Sequence, residues 1–180
     1  MLNNIFFLGG IHGSGKTTIG KILAKKLGIE YLSASSLIKW EEKNVDKLNK
    51  RVLDINKTQK LLLKILHKKI DTKKLYILDG HYCLINNLNQ ITPIPFNVFK
   101  EINPLCLILL DEPFVTVKNR LIKRNHNPEF IEIVNELAKH EYEYAYKLSQ
   151  EIGKELIRLN SHNIDFVKSY LSHKMSSINI

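Results

Sequence analysis

The stretch GIHGSGKTT at residues 10–18 decides how the rest of the chain is read. Gly10 is followed by four residues and then by Gly15-Lys16-Thr17, completing the pattern G-x-x-x-x-G-K-[ST]. Glycines in that pattern let backbone N–H groups converge on an anion with no side chain in the way. Lys16 adds a cation, and the Thr17 hydroxyl can reach a magnesium ion. The surroundings agree. The apolar run Ile5-Phe6-Phe7-Leu8-Gly9 enters as a strand and residues 16–27 leave as a helix, which sets the positive end of a helix dipole under the anion. The stretch is therefore read as a nucleotide phosphate-binding loop formed by Gly10, Ile11, His12, Gly13, Ser14, Gly15, Lys16, Thr17 and Thr18.

Outward from the loop, strands and helices alternate. Strands are expected at residues 4–8, 29–32, 75–78, 105–110 and 156–159, the fourth apolar throughout, as a strand covered on both faces should be. Helices are expected at 16–27, over Leu37-Ile38-Trp40, and at 55–70, 97–102, 113–124, 129–152 and 163–174. Gly28 and Gly153 serve as stops, the serine cluster at 33–36, the break Asn125-His126-Asn127-Pro128 and Asn163 as caps, and the tail from Met175 frays. Residues 41–50 read as a polar stretch, and 86–96 as an irregular, proline-bearing loop. Alternation of this kind implies an α/β fold: three layers, with a five-stranded parallel sheet flanked by helices, in a single domain of 180 residues.

Composition narrows the class of protein. Apolar residues make up 44% and charged residues 25%, ordinary for a globular domain. Lys and Arg number 27 against 18 Asp and Glu, a net charge of +9 that favours anionic partners. The paired lysines at 25–26, 68–69 and 73–74 read as solvated helix faces ahead of a nucleic-acid patch. Cys83 and Cys106 lie in apolar runs without metal-ligand spacing, which suggests reduced thiols and a cytoplasmic location. No apolar run approaches a membrane span, so no membrane partner is expected.

On a parallel sheet, ligands bind where strands end, so the residues just past each strand are the candidates for function. Asp79 closes the third strand, where a carboxylate can hold magnesium through water or take a proton from an acceptor; the alternative is a turn aspartate before Gly80. Asp111-Glu112-Pro113 follows the fourth strand and looks like the second nucleotide motif of transporter-type ATPases. The Ser-Gly-Gly signature of those proteins is missing. Arg120 and Arg124, four apart, are expected on one helix face before the break at Pro128, placed to neutralise charge on a transferred group. Past the second strand, Ser36 and Lys39 offer hydroxyl and cation to a second anion.

Taken in order, GIHGSGKTT, SSLIK at 35–39, KTQK at 57–60, LDGH at 78–81 and LILLDEPFVTVKNRLIKR at 107–124 resemble the nucleoside monophosphate kinases, and among them the archaeal-type, short-lid adenylate kinases. The resemblance implies transfer of the γ-phosphoryl group of ATP, with Mg2+, to a small nucleotide substrate, AMP foremost. It also implies catalytic roles for Lys16, Asp79, Arg120 and Arg124, and metal binding by Thr17 and Asp79. Ser36, Lys39, Gln59 and His81 fall at acceptor-binding positions, helices within 33–71 form the acceptor region, and 120–130 form a short lid. Two departures are visible. Lys39 stands where better-known adenylate kinases have arginine, and His81-Tyr82-Cys83 stands where they have Phe-Pro-Arg, although the archaeal-type relatives carry histidine near that point. The lid lacks a zinc-ligand quartet, so no structural metal is expected. Two further readings stay open: a regulatory NTPase that releases RNA or a protein partner, and a kinase for a non-nucleotide acceptor or a polynucleotide end.

Overall fold

The computed structural model describes residues 2–41 and 54–178. Apart from Glu41, the polar stretch at 41–50 lies outside the described residues. In chain order the elements are β1 (Ile5–Gly9), α1 (Lys16–Leu27), β2 (Glu30–Ser33), α2 (Ala34–Glu41), α3 (Ile55–Lys69), β3 (Tyr76–Asp79), β4 (Cys83–Ile85), β5 (Ile91–Pro93), α4 (Phe96–Ile102), β6 (Cys106–Leu110), α5 (Phe114–Ile122), α6 (Pro128–Ile152), β7 (Leu156–Leu159) and α7 (Ile164–Ser176).

The five expected strands form one parallel sheet in the order β2-β3-β1-β6-β7, each within about one residue of its expected bounds. Residues of β1 point alternately to the two faces, and each set meets its own helices. Ile5 and Phe7 join Leu62, Leu66, Phe99 and Leu148 under α3, α4 and α6. Phe6 and Leu8 join Leu23, Val167 and Leu171 under α1 and α7. A third cluster joins Ile11 of the loop to Val117 and Leu121 of α5 and to Val134 and Leu137 of α6, beneath the β4–β5 hairpin. The loop is thereby packed from above as well as from below.

Three expectations change. The passage at 86–96 is not irregular throughout: β4 and β5 pair antiparallel, with the Asn86 side chain accepting from Leu88 N and Gln90 N at the turn. Three-residue strands are too short to show alternation, and the asparagine turn that joins them is the stronger sign. Helix α5 ends at Ile122, short of the expected Arg124, and tight bonds from Arg124 N to Leu121 O and Asn125 N to Ile122 O turn the chain, with Asn125 at φ +58°. Helix α7 runs through Met175, which packs against the cluster on the α1 side.

Candidate active site

β1 is the switch point of the sheet, since β2 and β3 lie on one side of it and β6 and β7 on the other. The crevice at the C-terminal edge of such a sheet is where ligands bind, and the loop at 10–15 lies there. Gly10, Gly13 and Gly15 have φ of +145°, +79° and +100°, backbone that L side chains rarely take, and this lets successive amides turn inward as an anion nest. No side chain caps α1, and its first turn carries no acidic residue, so its positive end faces the crevice. Lys16 is buried, its ammonium held over the loop by Gly10 O at 2.7 Å and Ile11 O at 2.9 Å.

The strand register brings Leu8, Asp79 and Ser33 level at the sheet edge. Asp79 therefore sits beside the start of α1, and the Thr17 hydroxyl donates to its Oδ2 at 3.1 Å. Tyr31 donates to the same oxygen at 2.7 Å. Burial, and then the hydrogen bond to Asp79, hold that phenol well above its ordinary range, so it remains a donor. A hydroxyl and a carboxylate beside an anion nest suit magnesium, which takes hard oxygen ligands, keeps waters, and draws on phosphates. Among the described residues no group of three or more His, Cys, Asp or Glu could hold a metal ion by itself, so the phosphates would have to complete the shell.

Asp111 directly follows the end of β6. It receives Arg158 Nε at 3.0 Å from β7, whereas its neighbour Glu112 is buried and receives Ser161 N and Oγ. Glu112 also faces Arg120 Nη2 at 3.6 Å. The Arg120 guanidinium donates through Nη1 to Ser14 O at 2.6 Å, so that α5 is fastened to the loop. Arg124 is exposed and, among the described residues, makes no side-chain hydrogen bond or ion pair.

His81 lies over the loop, with ring centroids of His81 and His12 at 4.4 Å. Tilted ring contact continues from His12 to Phe130 at 6.1 Å, and Phe130 stacks on His126 at 4.6 Å, which joins the loop to the start of α6. Beneath His81 is a residue that sequence reading missed. Glu141 of α6 is fully buried and accepts from Tyr82 N at 3.0 and 3.1 Å, from Cys83 N at 3.2 Å, and lies 3.2 Å from His81 Nδ1. Burial pushes its carboxyl up to about 7, against the opposing pull of Lys16 and of the Tyr82, Cys83 and Gly10 amides. Its signal is present in the sequence: Val134, Leu137, Ala145 and Leu148 form a helical stripe, and the register that this stripe skips is 141. Tyr82 is the second missed residue. It is fully buried, donates to Ile108 O at 3.1 Å, and fills the space where a side chain at Gly9 would go.

The acceptor positions are not gathered in the same way. Ser36 and Lys39 are exposed on α2, and Gln59 is buried on α3 with Leu62 and Leu66. Among the described residues none of the three is bonded to the loop, to Asp79 or to His81.

A sheet with the phosphate loop at its centre, and its carboxylate on the adjacent strand, defines a P-loop domain of the nucleoside-monophosphate-kinase type. The family model described as an AAA domain (AAA_17) matches residues 9–158, and the chain belongs to that family. A protein of Methanocaldococcus jannaschii named "Putative adenylate kinase" is 32% identical over 124 residues, covering 67% of this chain and 58% of that protein. The chain thus spans less than two thirds of that relative. A shikimate kinase of Azobacteroides pseudotrichonymphae is 29% identical over 150 residues, covering 77% of this chain and 83% of that one. Among solved structures, shikimate kinase from Bacteroides thetaiotaomicron superposes with a TM-score of 0.60 at 14% identity, covering 96% and 98% of the two chains, which bears on the fold alone. No helix among the described residues is long and apolar enough to cross a membrane.

Proposed function

We propose that the chain is a cytoplasmic, adenylate-kinase-like phosphotransferase that moves the γ-phosphoryl group of Mg-ATP to a nucleoside monophosphate, AMP foremost. The observation that carries this reading is the Thr17–Asp79 contact of 3.1 Å beside Lys16, made by the strand next to β1. In the transporter-type alternative the second motif would be Asp111, yet that carboxylate is engaged by Arg158. The relative named for adenylate kinase supports a nucleotide acceptor.

In this reading Lys16 and the loop amides hold the β- and γ-phosphates, and Arg120 and Arg124 neutralise charge on the transferred group from the lid. Thr17 and Asp79 would hold magnesium, which, when bound, screens the phosphate oxygens from the incoming nucleophile. Asp79 is also placed to take the proton of an acceptor. Ser36, Lys39 and Gln59 bind the acceptor, and His81 stands where the two sites meet. A non-nucleotide acceptor is the second reading, favoured by the shikimate kinase relative and by lysine at position 39, which cannot grip a phosphate with a two-pronged fork.

The test is γ-labelled ATP offered with AMP, CMP, other monophosphates, shikimate and small alcohols in turn, with Lys16→Ala and a chelator as controls. Label should pass to a monophosphate in the wild type, and both controls should lower transfer by about 10³-fold. Slow ATP hydrolysis with no labelled acceptor would overturn the kinase reading. Salt-sensitive RNA binding alongside it would favour the regulatory NTPase.

A further inference from the structure

We propose that Glu141 is a positioning residue for phosphoryl transfer, fixing His81 and the turn at 81–83 against the phosphate loop from the middle of α6. The proposal rests on the transferase reading above and deepens it. A glutamate in an apolar helix stripe is a poor choice for packing alone, since burying a carboxylate is costly unless donors surround it. Here the donors all come from the functional side: Tyr82 N, Cys83 N and the His81 ring, with the Gly10 amide and the Lys16 charge acting from the loop. One carboxylate therefore touches the turn that follows Asp79 and acts on the loop that follows β1.

Its chemistry sets His81. Ionised, as above about pH 7, the carboxylate only accepts, so the His81 nitrogen 3.2 Å away, Nδ1, then carries the ring proton and Nε2 is the acceptor of the neutral ring. The ring so oriented lies 4.4 Å from His12 of the loop. Glutamine cannot substitute. Tyr82 N addresses both carboxylate oxygens, at 3.0 and 3.1 Å, so either orientation of an amide sets its NH2 group against a donor. The groups facing Glu141 are His81, Tyr82 and Cys83 on the turn and Gly10 and Lys16 on the loop.

The test compares wild type, Glu141→Gln and Glu141→Asp by transfer kinetics and by long-range proton–nitrogen spectra of the histidine rings at pH 8.5, where Glu141 is ionised. Folding is checked by circular dichroism, and His81→Gln identifies the His81 signals. Glu141→Gln should lower kcat about 10- to 100-fold with KM for ATP changed less than about 3-fold, as removal of a residue that orients another does. The His81 ring should carry its proton on Nδ1 in the wild type and lose that preference in Glu141→Gln, and Glu141→Asp should recover part of kcat. Unchanged kcat in a folded Glu141→Gln protein, or Nε2–H in wild-type His81, overturns the proposal. The wild-type spectrum decides this even if the glutamine variant does not fold. A wild type that labels no acceptor, yet keeps the Nδ1–H form, defeats the transferase reading instead.

Discussion

The buried carboxylate of Glu141 makes a quantitative prediction about folding. Burial raises its pKa from 4.5 to about 7, more than Lys16 and the three backbone amides can offset. The native state therefore holds this proton more tightly than the unfolded chain does. Stabilisation from that proton is fully present below pH 4.5 and is lost as pH rises through about 7. At about 1.4 kcal/mol per pH unit, the interval is worth about 3 kcal/mol. Urea unfolding of the wild type and of Glu141→Gln at half-unit steps from pH 4.5 to 8.5 measures it, because the difference between the two curves removes carboxylates common to both. The wild type should lose about 3 kcal/mol relative to the variant across that range, most steeply between pH 5 and 7. Repeating the pair in a His81→Gln background separates the carboxylate from the ring beside it. A difference independent of pH, or one that grows in favour of the wild type as pH rises, would refute the reasoning that burial dominates at this site.

Gly9→Ala should be among the most damaging single-methyl changes in the chain, because the added Cβ would lie 2.2 Å from Tyr82 Cε2, inside a fully buried ring packed on Phe7 and Phe99. Overpacking of this kind costs about 3 kcal/mol, a fall in Tm of about 6–12 °C for a domain of this size, read by thermal melting. Arg120→Ala should cost about 2 kcal/mol by releasing Ser14 O and leaving buried Glu112 without its cation, whereas Arg124→Ala should stay within about 0.5 kcal/mol. If both arginines serve the lid, both variants lose transfer, but only the first shifts the melt.

Most of the fold was legible because its decisive pattern is local. A strand buried on both faces announces itself as an unbroken apolar run, and β1, β3 and β6 are such runs. Gly28 and Gly153 end their helices at φ +69° and +63°, and Asn127 caps α6 by accepting from Phe130 N, so these boundaries follow from single residues. What misled was brevity. β4 and β5 have three residues each, fewer than alternation needs to show, and the tight turn at 123–125 closes α5 at Ile122, short of Arg124.

The candidate site divides along the same line. The loop, Lys16, Thr17 and Asp79 are readable because one motif and one strand end specify them, and the register of β1 with β3 then brings them together. Glu141 depends on contacts 58 to 60 positions away in sequence, with Cys83, Tyr82 and His81, so no local pattern names it. Only its offence against local rules does, a charge in the skipped register of an apolar stripe. Tyr82 is hidden for the opposite reason, since a tyrosine after His81 looks like ordinary core until Gly9 shows that the ring has taken a side chain's place. Glu112 belongs with Glu141: it reads as half of a borrowed motif, yet it is buried against Ser161 and faces Arg120. In each case the informative observation is a buried polar group or a missing side chain, and in each case the partner is a residue of the phosphate loop or one that touches it.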